Sequence, residues 1–183
     1  MSHAFHSSPK PIIIILQPLE SFPKAMIKVL KDSIPNYYPA QVYVQPAITI
    51  PKTFFYIPRN RYRADSIIHW LRQLKSDSVR SLVGLTLFDI STTKGPIKDY
   101  GIMGLGYQPG PSCVVSIFRL GKDNASAKKI TQRLVKTVVH EIGHNLGLPH
   151  CPNQHCIMAD AEGKLKQDNE GGLCNDCRKK LDL

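Results

Sequence analysis

The chain has 183 residues, a length that suits one domain with a hydrophobic core of its own. Hydrophobic residues make up 42% and charged residues 21%, which is a globular composition and excludes a disordered chain. The formal net charge of +10 leaves acidic partners and nucleic acid open, because net charge concerns association and not chemistry.

The first predicted element is a buried strand formed by the apolar run IIIIL at 12–16. This run is too short to cross a bilayer, and no small-residue cleavage site of the kind that ends a signal peptide follows it. No other segment is long enough for a membrane helix. We therefore expect a cytoplasmic protein with no membrane partner.

Helices and strands are then predicted to alternate. Asp65 or Ser66 is expected to cap the second helix, whose apolar residues recur at helical spacing. The predicted elements are a helix at 23–33, a strand at 41–50, a helix at 64–76 and a strand at 81–90.

A polar loop at 91–100 leads to a short glycine-rich edge strand and a second buried strand. One long helix follows, with Asp123 or Asn124 as its expected cap. This order of elements predicts an α/β fold. The edge strand is predicted at 101–107, the buried strand at 113–120 and the helix at 122–147. The basic residues expected on the solvent side of this helix are Lys128, Lys129, Arg133 and Lys136.

The sequence HEIGHNLGLPH predicts a catalytic zinc site. His140 and His144 lie four residues apart on the helix, so both imidazoles point from one face and can bind one zinc ion. Glu141 can face a zinc-bound water and take its proton. Gly147 can end the helix in a left-handed turn, which allows His150 to return as the third ligand.

These residues resemble the signature of the metzincin zinc peptidases, H-E-x-x-H-x-x-G-x-x-H followed by a Met-turn. Met158 lies where the Met-turn methionine is expected, as a hydrophobic floor below the histidines. Ala159 and Asp160 follow it where several metzincins have a tyrosine, so zinc itself must supply most of the oxyanion stabilisation. Four cysteines make the chain similar to the archaemetzincins, namely Cys151, Cys156, Cys174 and Cys177.

The resemblance implies a compact α/β domain with a mixed, twisted sheet of about five strands. It also implies a horizontal active-site cleft with a glycine-rich edge strand on its upper rim, for which 101–107 is the candidate. An irregular, zinc-stabilised C-terminal subdomain is expected to follow the active-site helix. The predicted subdomains are 1–147 and 148–183.

The four cysteines predict a second, structural zinc site. C-x4-C followed by C-x2-C is ordinary spacing for a closed, all-cysteine site, and in a reducing compartment clustered cysteines indicate metal more often than disulfides. Four free thiols or a disulfide pair are the alternatives. Because His150 adjoins Cys151, and Cys156 lies two residues from Met158, the second metal is expected to hold the first site in place. Cys113, on an apolar strand, is expected to be an inert core thiol.

The sequence thus predicts a monomeric zinc-dependent metallopeptidase that holds two zinc ions and cleaves a peptide or protein substrate. One alternative is a non-catalytic, zinc-stabilised basic binding module for nucleic acid or protein. Another is a peptidase-like scaffold that has lost turnover. Glu141 argues against both, because neither needs a base beside an open metal. Nucleic acid is not expected, since no motif combines stacking aromatics with basic residues.

Overall fold

The computed structural model describes residues 10–161, 168 and 171–182. Parts of both predicted subdomains, including 1–9, lie outside the described residues. The strands are β1 (Ile12–Pro18), β2 (Ala40–Val44), β3 (Phe55–Tyr56), β4 (Arg61–Arg63), β5 (Ser81–Thr86), β6 (Ile90–Lys94), β7 (Ile97–Ile102), β8 (Gly104–Gly106) and β9 (Ser112–Ser116). The helices are α1 (Lys24–Ser33), α2 (Ala64–Leu74), α3 (Ala127–Asn145) and α4 (Asn175–Lys180).

The main sheet has five strands in the order β2-β1-β5-β9-β8. The first four strands are mutually parallel, and β8 is antiparallel to β9. Every residue of β5 and β9 is buried, which is why these strands have continuous rather than alternating apolar patterns. The predicted α/β fold with a mixed, five-stranded sheet is confirmed.

A second sheet, in the order β3-β4-β6-β7, was not predicted. The supposed polar loop at 91–100 forms most of its β6–β7 hairpin, with Gly95 in the turn at φ +55°. The outer ends of both hairpin strands are exposed. Only Ile90 and Ser91 of the hairpin strands are buried, and so short a buried stretch leaves no apolar alternation in the sequence that would predict the hairpin.

The predicted strands end earlier in the structure than in the sequence pattern. The strand expected at 41–50 stops at the end of β2, although Ile50 is buried, and the strand expected at 113–120 stops at the end of β9, although Leu120 is buried. The edge strand expected at 101–107 is divided, because its first two residues belong to β7 and the next strand is β8. Apolar residues buried in loops continue the pattern of a strand without belonging to one.

The predicted cap of α2 is wrong. The helix begins before Asp65 and Ser66, and Arg63 takes the N-cap position. Asp65 lies inside the first turn and accepts a hydrogen bond from Thr92 Oγ1 at 2.8 Å. A tertiary contact therefore uses the side chain that the sequence pattern assigned to capping.

The predicted cap of α3 is also wrong. Asp123 and Asn124 adopt positive φ angles of 71° and 53° in a separate turn, which no helix can continue through. Ser126 caps the helix instead, and its side chain accepts a hydrogen bond from the backbone N–H of Lys129 at 3.3 Å.

The predicted position of Arg133 on the solvent side of α3 is also wrong. This side chain is only 1% exposed rather than on the solvent side. Its guanidinium makes paired hydrogen bonds to Asp123 and to Asp168, all between 2.7 and 2.9 Å, and a further one to the carbonyl of Leu120. Two carboxylates compensate the loss of hydration, which is the condition under which arginine is buried.

The principal core lies between the main sheet, α1 and α3 and includes residues from beyond Gly147, such as Ile157, Met158 and Leu173. The short helix α4, which the sequence pattern did not indicate, also contributes to it through Cys177. The subdomain boundary at Gly147 therefore stays a prediction. Among the described helices, none combines the length and apolar character needed to cross a membrane.

Candidate active site and metal centres

Helix α3 brings the first two histidines of the motif together, and the chain beyond it returns the third. Gly147 follows the helix with φ +104°, and its N–H donates to the carbonyl of His144 at 2.9 Å. The candidate ligand nitrogens of His140, His144 and His150 all lie within 4.8 Å of one another. The Nε2 atoms of His140 and His144 are 3.0 Å apart, close to the ~3.3 Å expected of two imidazoles on one tetrahedral zinc.

Hydrogen bonds orient the first two imidazoles. Nδ1 of His140 donates to the carbonyl of Ile157 at 2.7 Å, and Nδ1 of His144 donates to the carbonyl of Leu148 at 2.8 Å. Each bond leaves Nε2 for a metal, as in known zinc sites. Burial lowers the pKa of His140 to about 4 and also lowers the pKa of His144, so both rings are in the neutral form that binds metal.

The third histidine is the most exposed member of this group. The side chain of His150 is 49% exposed, and its Nδ1 lies 3.7 Å from Oδ2 of Asp160. A carboxylate on this side of the ring favours the tautomer that leaves Nε2 for a metal. The sequence analysis noted Asp160 only because it stands where several metzincins have a tyrosine, so its contact with His150 was missed.

Glu141 lies beside the histidines but is 6% exposed, and burial raises its pKa to about 8. A nearby dication would lower this pKa again, because it favours the carboxylate. The edge strand β8 passes directly over the side chain: a Cβ atom at Gly104 would lie 2.5 Å from Oε1 of Glu141. Glycine at this position therefore gives the carboxylate its room.

Met158 lies beneath the histidine-bearing helix. Its side chain is fully buried, and a Cβ atom at Gly143 would lie 2.4 Å from its Sδ atom. The same missing side chain admits Tyr38, whose hydroxyl donates to the carbonyl of Val139 at 2.8 Å. The close approach between methionine and helix depends on the absence of a side chain at Gly143.

The four clustered cysteines form a second group whose Sγ atoms all lie within 4.8 Å of one another. The Sγ atoms of Cys151 and Cys174 are 3.7 Å apart, as are those of Cys156 and Cys177. These separations exclude disulfides in the structure and match the ~3.8 Å expected between thiolates on one tetrahedral zinc. The donors and spacing of both groups thus fit zinc.

Backbone contacts join the two groups. The N–H of Cys151 donates to the carbonyl of Met158 at 2.8 Å, and Cys151 pairs with Ala159 as an isolated bridge. The N–H of Met158 in turn lies 3.5 Å from Sγ of Cys156. The segment between the third histidine and the methionine is therefore closed at both ends by residues of the cysteine group.

The remaining residues singled out from the sequence belong to neither group. Cys113 is fully buried, and burial raises the pKa of its thiol. His155 is exposed in the loop between the first two clustered cysteines, and His69 is near Gln73 on α2.

Asn145, which follows the second histidine, was missed. Its buried amide donates to the carbonyls of Tyr107 and Ser112 at 3.0 and 2.9 Å and accepts a hydrogen bond from Ser81 Oγ at 2.6 Å. These bonds fix the end of α3 against the strands of the main sheet. The available signal was a residue of low helix propensity inside a helix, since such residues often make specific side-chain bonds.

A cleft of about 440 Å³ opens over the histidine group. Glu141 and the three histidines line it, and β8 forms one of its walls. The cleft continues past β8 to the β6–β7 hairpin. Its size suits a segment of peptide rather than a whole folded partner.

The family model described as Peptidase family M54 matches residues 21–183. The chain belongs to this peptidase family. It is a zinc metallopeptidase that acts on peptide substrates, and the resemblance to archaemetzincins is confirmed. The chain is 33% identical to the archaemetzincin of Archaeoglobus fulgidus over 169 residues, which cover 92% of this chain and 98% of that protein. It is 32% identical to that of Haloarcula marismortui over 158 residues, or 82% and 88% of the two chains.

Solved structures agree with this assignment. The crystal structure of the Archaeoglobus fulgidus archaemetzincin complexed with malonate is similar with a TM-score of 0.78 and 32% identity, over 92% of this chain and 99% of that one. The Methanopyrus kandleri archaemetzincin is similar in fold, with a TM-score of 0.82 and 24% identity over 97% of each chain.

Proposed function

We propose that His140, His144 and His150 hold the catalytic zinc and that Glu141 is the general base. One observation carries the proposal: three candidate ligand nitrogens within 4.8 Å of one another share an open cleft with a buried carboxylate. Three neutral ligands and an open position are what a catalytic zinc site needs, whereas a structural site is closed.

Zinc would supply Lewis acidity at this site, by making a coordinated water more acidic and by polarising the scissile carbonyl. Glu141 accepts the proton of the attacking water. It then donates that proton to the nitrogen of the leaving amine. Burial favours the uptake of the proton, because it raises the pKa of the carboxyl group.

The outer edge of β8 supports the binding of an extended peptide. The N–H of Ser116 donates to the carbonyl of Met103, so the bonds between β8 and β9 fall at Met103 and at every second residue after it. The backbone groups of Gly104 and Gly106 therefore point away from β9. An extended substrate can pair with them as an added strand, and Gly104 then sets the scissile bond beside Glu141.

We further propose that the four clustered cysteines hold a structural zinc ion. Their closed arrangement and their backbone bonds to the methionine segment support this role. A cysteine zinc site also suits the reducing cytoplasm, where we place the protein. We retain a monomer without affinity for nucleic acid, and a boundary between subdomains at Gly147, as predictions.

Zinc analysis and peptide cleavage together test the proposal. The wild-type protein should bind two zinc ions and cleave members of a mixed peptide library. Glu141→Gln should keep both ions and lose about 10²–10⁴-fold in turnover, because a base and not a ligand is removed. The matched variant His144→Ala should lose one zinc ion together with activity.

Other outcomes would contradict these assignments. Full activity in zinc-loaded Glu141→Gln would exclude Glu141 as the base. Two zinc ions in His144→Ala would exclude the histidine group as a metal site. A wild-type protein that holds both ions and binds peptides without cleaving them would be a scaffold that has lost turnover.

A further inference from the structure

One end of the cleft is strongly basic. Among the described residues that line it, the acidic side chains are Glu141, beneath Gly104, and Asp160, beside His150. The basic side chains are more numerous and belong to the hairpin, to the turn after β9 and to the segment that leads into and along α3. They are Lys94, Arg119, Lys122 and Lys136.

Arg119 differs from the lysines because a buried carboxylate orients it. Nε and Nη2 of Arg119 donate to the two oxygens of Asp89 at 2.7 and 2.8 Å, and Asp89 is only 7% exposed. Arg61 donates to the same carboxylate at 2.6 Å. Two guanidinium groups thus share one carboxylate, and the trio keeps a net positive charge.

The free side of Arg119 is available to a ligand. Its third nitrogen, Nη1, has no hydrogen-bond partner among the described residues, and the side chain is 17% exposed. The guanidinium lies against the backbone of Gly101, where a Cβ atom would come within 2.0 Å of Nη2. An arginine held in one orientation, with a donor left over, can recognise a carboxylate with little further loss of side-chain entropy.

The glycines on the rim of the cleft limit the distance between Arg119 and Glu141. Gly101 lies against Arg119 and Gly104 lies against Glu141, and three residues of chain span at most about 11 Å. An extended peptide advances ~3.3 Å per residue. A substrate along this rim would therefore place a residue two or three positions from the scissile bond beside Arg119.

We propose that Arg119 recognises an acidic side chain of the substrate, two or three residues from the scissile bond. The inference rests on the proposed catalytic role of the same cleft and names the class of substrate, acidic peptides, that it accepts. Lys122 and Lys136 add to the positive potential there, but Arg119 supplies the directional contact.

Paired peptides test this inference. One cleavable sequence, acetylated and amidated at its ends, carries a single Glu at each position around the scissile bond, and each peptide has a twin with Gln there. Wild-type protein should cleave the Glu peptide at least about tenfold better in kcat/KM at one position two or three residues from the cleaved bond. In Arg119→Gln this preference should fall to about one.

Arg61→Gln is the matched control. It removes the other guanidinium from Asp89 but does not line the cleft, so the preference for Glu should persist. Each single variant leaves Asp89 with one arginine, which protects the fold from an unpaired buried charge. If the wild-type protein cleaves both peptides without preferring Glu, or if Arg119→Gln keeps the preference, the inference is overturned.

Two further experiments distinguish a side-chain carboxylate from a terminal one, and peptide binding from peptide cleavage. A peptide that ends in a free carboxylate at the same position tests recognition of a chain terminus. If Arg119→Gln reduces the cleavage of this peptide alone, then Arg119 recognises a terminal carboxylate and not an acidic side chain. The second experiment measures peptide binding by fluorescence anisotropy. It compares zinc-loaded Glu141→Gln with the double variant that also carries Arg119→Gln. Arg119-dependent binding of the Glu peptide without any wild-type cleavage would refute the catalytic proposal and uphold this one.

Discussion

Replacing Gly104 by alanine should reduce activity without removing zinc. The new Cβ atom would lie 2.5 Å from Oε1 of Glu141, whereas an ordinary contact is at least 3.4 Å, so the carboxylate must move by about 0.9 Å. A displacement of ~1 Å in a catalytic group can cost ~10²-fold in rate, and we expect a loss of that order in kcat/KM. The histidines lie on another element and should keep their metal.

The measurements are kcat/KM on a cleaved peptide, zinc content by elemental analysis and the free energy of unfolding. The free energy of unfolding should change by less than about 1 kcal/mol. Alanine reduces the entropy of the unfolded chain, and this stabilisation offsets part of the cost of the close contact. Gly172→Ala is the control, since its Cβ atom would meet only Tyr37 at 4.0 Å and the residue does not line the cleft. Undiminished kcat/KM in zinc-loaded Gly104→Ala would refute the argument that this strand positions Glu141.

Three other predictions concern the supports of the site. Cys151→Ser should lower the affinity of the catalytic site for zinc more than Cys174→Ser does, as measured by chelator competition. Without its thiolate, the metal no longer holds the backbone of residue 151, which bonds to Met158 and adjoins His150. If both variants bind the catalytic zinc with the affinity of the wild-type protein, the two sites are independent. Asp160→Asn should weaken zinc binding by up to ~10-fold while the cysteine site stays full, and an unchanged dissociation constant would exclude an orienting role. The ion pair with Arg133 holds the pKa of Asp168 well below its usual range, so its stabilisation is present above pH ~4 and is lost as the pH falls. Asp168→Asn should therefore lower the free energy of unfolding in urea by about 1 kcal/mol at pH 7. If the difference in this free energy between the wild type and the variant did not narrow between pH ~5 and ~2, the ion pair would not be its origin.

The sequence by itself determined what depends on local spacing. A separation of four residues places His140 and His144 on one face of any α-helix, and a glycine at 147 can take the positive φ that ends it. The order of helices and strands likewise specified an α/β fold, and the continuous apolar runs of β5 and β9 indicated strands that are buried on both faces of a sheet.

Only the tertiary structure decided which distant groups meet. The periodicity of α3 does not reveal that Asp123 and Asp168 compensate a buried Arg133, since the three residues come from separate segments. In the same way, neither Gly101 nor Arg119 has a distinctive sequence context, and their contact exists because the hairpin folds onto the turn after β9. Local patterns follow from the geometry of one element, whereas polar contacts between elements follow from how the whole chain packs.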